Sequence, residues 1–292
     1  MSVLSLAIPS KGRLKEKSED WLKARGFEVR QIGGERGYQA EISGLGEVDM
    51  RLLSAREIAQ GLIEGSIHAG VTGEDLLQDL APTGPEDFHV LERLGFGGAD
   101  VIVAVPQAWI DVDTMSDLEA AGAAFRKAHH RRLRVATKYM RLTRRFFAAK
   151  SVGEYRLVES AGATEAAPAT GAADVIVDIT STGATLKANG LKIVSDGIIL
   201  KSEAVLAVSA NSSWSPAALK SLSVLGSAAN IEELLILKNL NSQAVMQRLG
   251  MINTHQNFMH PNIEKNSPLC EHILYSITQL QWETNIDQFN RK

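Results

Sequence analysis

Short apolar runs of strand length recur through most of the chain with helix-patterned segments between them, and this alternation restricts the fold more than any other feature. Val3 to Ile8, Val48 to Leu53, Ala69 to Thr72, Val101 to Pro106, Leu133 to Thr137 and Val175 to Ile179 read as buried strands. An amphipathic helix is expected from about Arg13 to Arg25, and Thr114 to Ala128 and Tyr139 to Lys150 also suit helices. Strands alternating with helices favour parallel sheets with helices packed on their faces. The expected class is α/β, and 292 residues are enough for two such domains. Leu94 to Ala99, with three glycines, suits a crossover between domains, and so does the stretch after Leu186. Two crossovers make one domain discontinuous. The expected division is residues 1–98 with 187–229 as domain I, and 99–186 as domain II.

Composition changes near residue 230. The first 229 residues hold two asparagines and the last 63 hold nine, while glycine nearly vanishes from the latter. Ile231 to Leu249 and Leu269 to Leu280 have helix-compatible apolar spacing, the second after a Ser267-Pro268 start signal. Residues 230–292 are therefore expected to form an atypical helical tail without catalytic residues.

Whole-chain properties exclude several function classes. The formal charge of −3 argues against a general nucleic-acid binder, and the apolar runs are too short to span a bilayer. The N-terminus lacks a signal-peptide pattern, which gives a cytoplasmic expectation. The single cysteine, Cys270, rules out an internal disulfide and a multi-cysteine metal site.

The stretch richest in chemistry is Asp174-Val-Ile-Val-Asp-Ile-Thr-Ser-Thr-Gly-Ala-Thr-Leu186, an apolar strand that ends in hydroxyl residues around a glycine and enters a helix. Such a turn is either a helix cap or a phosphate cradle. As a cradle, Gly183 lets the backbone approach a ligand, and the amides of Gly183, Ala184 and Thr185 converge on one concavity. Hydroxyls of Thr182 and Thr185 add donors, and Asp178 can accept from ribose hydroxyls.

The longer stretch from Glu159-Ser-Ala-Gly-Ala-Thr-Glu165 through Asp178 to Leu191 closely resembles the phosphoribosyl-pyrophosphate signature of ATP phosphoribosyltransferases. Three further blocks resemble that family in the expected order: Ile8-Pro-Ser-Lys-Gly-Arg-Leu14, His68-Ala-Gly-Val-Thr-Gly-Glu-Asp-Leu-Leu77, and Arg132-Leu-Arg-Val-Ala-Thr-Lys-Tyr-Met-Arg-Leu-Thr-Arg-Arg-Phe-Phe147. The resemblance covers about residues 1–229. It implies the short form of the enzyme, a two-lobed catalytic core of periplasmic-binding-protein-like topology with substrates in the cleft.

Site roles follow from the resemblance. Thr182, Gly183, Ala184 and Thr185 would hold the 5-phosphate of phosphoribosyl pyrophosphate, Asp178 its ribose hydroxyls, and Glu165 and Lys11 would face the same substrate. Arg13 and Arg36 match arginines that the family uses against the leaving pyrophosphate. Thr72 and Gly73 would contribute to the cleft floor, although Thr72-Gly-Glu-Asp75 also reads as a plain strand-to-helix cap. Between Arg126 and Arg145 lie nine Lys or Arg residues and no acid, either a solvated helix face or a screen for polyphosphates, with Lys138 as the cleft candidate. One departure is visible. Many relatives carry an Arg where this chain has Ser54, and here Arg56 follows two positions later.

The implied reaction joins the 5-phosphoribosyl group to N1 of ATP and releases pyrophosphate, the first step of histidine biosynthesis. Magnesium carried on pyrophosphate oxygens fits that chemistry and needs no site built by the protein alone. The short form also implies a regulatory partner similar to histidyl-tRNA synthetase, in a hetero-oligomer. The rival class is a two-lobed sensor that binds an anion or nucleotide without reacting it.

Overall fold

The computed structural model describes residues 3–32, 37–45, 47–84, 86–160 and 162–225, together with the backbone of 252–259 and 271–276. It divides into two units, Met1–Leu225 and Gly226–Lys292.

The first unit holds two sheets. One has seven strands in the order β2-β3-β4-β1-β5-β12-β6, formed by β1 (Leu4–Pro9), β2 (Val29–Ile32), β3 (Gln39–Ile42), β4 (Val48–Leu53), β5 (Ala69–Gly73), β6 (Phe88–Arg93) and β12 (Ala204–Ser209). All six residues of β1 are buried, as its central place requires, and it runs parallel to β4 and β5. Helices α1 (Gly12–Ala24), α2 (Ala55–Glu64) and α3 (Glu74–Leu80) each follow one of these parallel strands. Ile58, Leu62, Leu77 and Phe88 close one face of the sheet.

The other sheet has five strands in the order β11-β7-β10-β8-β9: β7 (Ala99–Pro106), β8 (Leu133–Thr137), β9 (Tyr155–Glu159), β10 (Val175–Thr180) and β11 (Leu191–Ser202). Its core joins Val103, Val135 and Val177 to Leu118 of α4 (Met115–His129) and Phe147 of α5 (Met140–Ala149). Thr114 starts α4 through a reciprocal capping box with Asp117. Residues Leu94–Gly98 connect β6 of the first sheet to β7 of the second. The return differs from the division expected at residue 187. β11 pairs antiparallel with β7 along Leu191–Ser202, so the chain stays with the second sheet until Glu203. The glycine after Leu186 signals a turn, Gly190 at φ 66°, rather than a change of lobe.

In the second unit, β13 (Ile252–Met259) pairs antiparallel with β14 (Glu271–Ser276). A helix was expected over Leu269 to Leu280, and its described residues form a strand instead. A short apolar run does not by itself separate helix from strand, and Ile273 and Tyr275 are strand formers once a partner supplies the ladder. The other expected helix, Ile231 to Leu249, lies outside the described residues.

Candidate active site

Parallel pairing fixes where each turn falls. β1, β4 and β5 point the same way, so Lys11 and Arg13, then Ser54 and Arg56, then Gly73 line one edge of the first sheet. β10, β8 and β9 are likewise parallel, which puts Thr180 to Thr185, Lys138 and Glu159 along one edge of the second. Carboxyl ends of strands are where α/β sheets meet ligands.

These edges meet through α3 and α5. The Tyr139 hydroxyl donates to Asp75 Oδ2 at 2.8 Å, and Ser202 Oγ donates to Asp75 Oδ1 at 2.8 Å. Burial and the adjacent Asp75 charge raise the Tyr139 pKa, so this phenol is a donor and not a base. Asp79 Oδ1 accepts from the amides of Arg141 and Leu142 at 2.9 and 3.0 Å, capping α5 with a carboxylate from the other lobe. Burial raises the Asp79 pKa despite those amides and the nearby Arg56 and Arg141. The Arg141 and Arg145 guanidinium groups donate to the Leu80 and Gln78 carbonyls at the end of α3.

Asp178 sits half-buried on β10, and burial raises its pKa. The Ile179 amide, the Lys138 ammonium and the Thr164 hydroxyl oppose that shift, whereas the Glu165 charge adds to it. Asp178, Glu165 and Lys138 are thus one electrostatic group. Beyond them Gly183 adopts φ 72°, a left-handed conformation that favours glycine, and starts helix α6 (Ala184–Ala188). Its amide donates to Thr180 Oγ1 at 2.9 Å, and the Ala184 amide reaches Thr182 Oγ1 at 3.4 Å. The loop's hydroxyls therefore hold two of the three amides expected to converge. Thr182, Ala184 and Thr185 are exposed at this strand end.

The turn after β5 differs from its sequence reading. Thr72 is fully buried and its hydroxyl donates to the Ala55 carbonyl at 2.7 Å, so it ties β5 to α2 rather than capping α3 or opening to the cleft. Asp75 is committed to Ser202 and Tyr139. Glu74 takes a bidentate contact from Arg93, at 2.5 and 2.8 Å, beside the crossover. Gly73 ends β5 partly exposed beside them.

The ATP phosphoribosyltransferase family model matches residues 54–225. An ATP phosphoribosyltransferase of Rhodopseudomonas palustris is 54% identical over 220 residues, 75% of this chain and 68% of that protein. One of Caulobacter vibrioides is 56% identical over 216 residues, 74% of this chain and 68% of that protein. The chain belongs to the ATP phosphoribosyltransferase family. Among solved structures, a chain of the ATP phosphoribosyl transferase (HisG:HisZ) complex from Thermotoga maritima matches with a TM-score of 0.58 and 25% identity, covering 79% of this chain and 98% of that one.

As an ATP phosphoribosyltransferase, the chain divides its basic run between two duties. Arg126 pairs with Glu154 at 2.7 Å, and Arg131 and Arg134 engage Asp174 at 2.7 and 3.3 Å. Burial works against the ionised Asp174, but the two guanidinium groups outweigh it and hold the carboxyl well below the usual range. These arginines brace the second lobe, while Lys138 and Arg141 line a cavity at the lobe boundary. Ser54, where the chain departs from the family resemblance, has a local role. Ser54 accepts from the Glu57 amide at 3.2 Å and its own amide donates to Glu57 Oε2 at 2.8 Å, so this position is spent on starting α2. Arg13 and Lys11 are exposed at the β1 edge, whereas Arg36 lies outside the described residues. Among the described residues no group of three or more His, Cys, Asp or Glu side chains is placed to hold a metal.

Proposed function

We propose that the chain transfers the 5-phosphoribosyl group of phosphoribosyl pyrophosphate to N1 of ATP, with substrates held between the two strand-end edges. The observation that carries the residue assignment is the juxtaposition of Asp178, Glu165 and Lys138 beside the Thr180 to Thr185 turn. Asp178 accepts from the ribose hydroxyls. Thr182, Gly183, Ala184 and Thr185 take the 5-phosphate, whose oxygens replace the Thr180 and Thr182 hydroxyls as acceptors for the loop amides. Glu165 and Lys11 face the same substrate, and Thr72 shapes the floor through Gly73 rather than by contact.

In the reaction the N1 lone pair attacks C1 of the ribose while the bond to pyrophosphate breaks in line. The nucleophile arrives without a proton to lose, so the protein's work is to orient two polyanions and to neutralise charge on the leaving group. Arg13 and Arg36 are assigned to that charge. When bound with the polyphosphates, magnesium would add charge neutralisation, and Asp178 and Glu165 are the acidic residues that would face it. Cytoplasmic placement fits a substrate pair of this kind. A regulatory partner similar to histidyl-tRNA synthetase, in a hetero-oligomer, is supported by the Thermotoga maritima relative, which was solved as a HisG:HisZ complex.

The test is single-turnover kinetics of Arg13→Ala and Arg36→Ala. Loss of a donor that acts on developing charge costs about 2.7 to 4 kcal/mol, so each catalytic constant should fall by about a hundredfold or more. Parental constants in both variants would refute the leaving-group role.

A further inference from the structure

Transfer between two substrates requires the attacking N1 and the ribose C1 to come within about 3 to 3.5 Å in line, and an error of about 1 Å in their placement can cost about a hundredfold in rate. The gap between the two strand-end edges is therefore a catalytic variable. Two-lobed binders use the crossovers between their lobes as hinges and close on a ligand. Here the crossovers are reinforced by bonds that join the lobes directly.

Helix α3 is pinned to the start of α5 at two points one helical turn apart. Asp79 caps α5 through the Arg141 and Leu142 amides, and four residues earlier Asp75 Oδ2 accepts from the Tyr139 hydroxyl at 2.8 Å. Asp75 Oδ1 accepts from Ser202 Oγ at 2.8 Å, and the Asp75 amide donates to the same Oγ at 3.0 Å. Asp75 thus joins the first lobe, the second lobe and the return crossover, with each carboxylate oxygen spent on a different element. All three residues are buried, where such bonds are strong and costly to leave unmade. Leu76 beside it packs against the cores of both lobes. Gly73 leaves room for the arrangement, since a Cβ there would stand 2.3 Å from Asp75 Oδ1.

Each end of the bond is built into one edge of the candidate site. Asp75 lies in the first turn after β5, the strand paired with β1, whose end carries Lys11 and Arg13. Tyr139 follows Lys138 at the end of β8, where Thr137 pairs with Val177, the neighbour of Asp178. We propose that Asp75 and Tyr139 are positioning residues whose bond is a strut that sets the width of the cleft, and so the distance between N1 of ATP and the ribose, an inference that rests on the transferase reading above. Neither side chain touches a substrate in this role.

Single-turnover kinetics of the full chain, with magnesium, saturating substrates and the regulatory partner supplied, tests the strut. Tyr139→Phe removes one oxygen and should lower the rate constant by about ten- to a hundredfold. Calorimetry should give each substrate alone an affinity within about threefold of the parent. Asp75→Asn can still bridge Ser202 and Tyr139 through its oxygen and its NH2 group, so it should keep more of the rate than Asp75→Ala. Adding Tyr139→Phe to Asp75→Ala should slow it no further, because the bond is already gone. A parental rate constant in Tyr139→Phe, multiplied losses in the double variant, or a loss of affinity for either substrate as large as the loss of rate would overturn the strut, the last by making these residues contacts. Amide exchange at Arg141 and Leu142 reads the strut without turnover. It should quicken by about tenfold or more in Tyr139→Phe as α5 parts from α3, and parental exchange would overturn the proposal. Failure of the parent to form product would instead sink the transferase reading, while the exchange data still judge the strut.

Discussion

Asp178, assigned above to the ribose hydroxyls, carries a stability cost of its own. Burial raises its pKa, so the folded chain keeps this proton to higher pH than the unfolded chain does. The group therefore contributes stability below the unfolded carboxylate range, and that contribution is lost as pH rises through the folded value. Asp178→Asn should be more stable than the parent at neutral pH and equal to it in acid, as read by thermal unfolding at each pH. Asp178→Ala should weaken phosphoribosyl pyrophosphate by at least about tenfold in calorimetry, the cost of one charge-assisted bond. Unchanged affinity would reject the ribose role. Asp178 and Gly183 stand out in the sequence because they sit in one strand, turn and helix-start pattern, and Glu165 only through the family resemblance of the stretch before it. Thr180 was missed though it belongs to the same hydroxyl cluster, because which hydroxyl meets the Gly183 amide is decided by the turn's geometry. Thr72 was read as a cap or cleft residue, and nothing local to it reveals the Ala55 carbonyl seventeen residues away.

Among elements, the contact of α3 with α5 decides how the lobes meet. Asp79 caps α5 from the opposite lobe, so Asp79→Ala should cost about 0.5 to 2 kcal/mol in urea unfolding, the usual loss for a missing cap. Asp79→Asn retains an acceptor and should fall short of that loss. Equal stability of Asp79→Ala and the parent would show that the cap is not needed. Strands with continuous apolar runs were readable: β4 and β8 appear over the residues expected, and β1 and β10 within one residue at each end. β11 was not. Its apolar residues are broken by Ser195-Asp196-Gly197, its register shifts between Ile193 and Ile198, and only its partner β7 identifies its sheet. Across units the same limit explains β14, whose six residues acquire strand geometry from β13.

At the scale of the whole molecule, the family match ends at residue 225, where the first compact unit also ends. Residues 230–292 should therefore be dispensable for the chemistry. A chain ending at Gly226 should form product at the parental rate, assayed with and without the regulatory partner. A folded truncation that binds both substrates and makes no product would show that the tail completes the site. The central claim is transfer between two substrates rather than binding of one, and the most direct measurement is a matched assay of pyrophosphate release and ultraviolet absorbance on the full chain. The account predicts pyrophosphate and an absorbance rise only when ATP, phosphoribosyl pyrophosphate and magnesium are all present. Tight binding of either substrate with no pyrophosphate released from the complete mixture, with the regulatory partner supplied, would contradict it and favour the sensor.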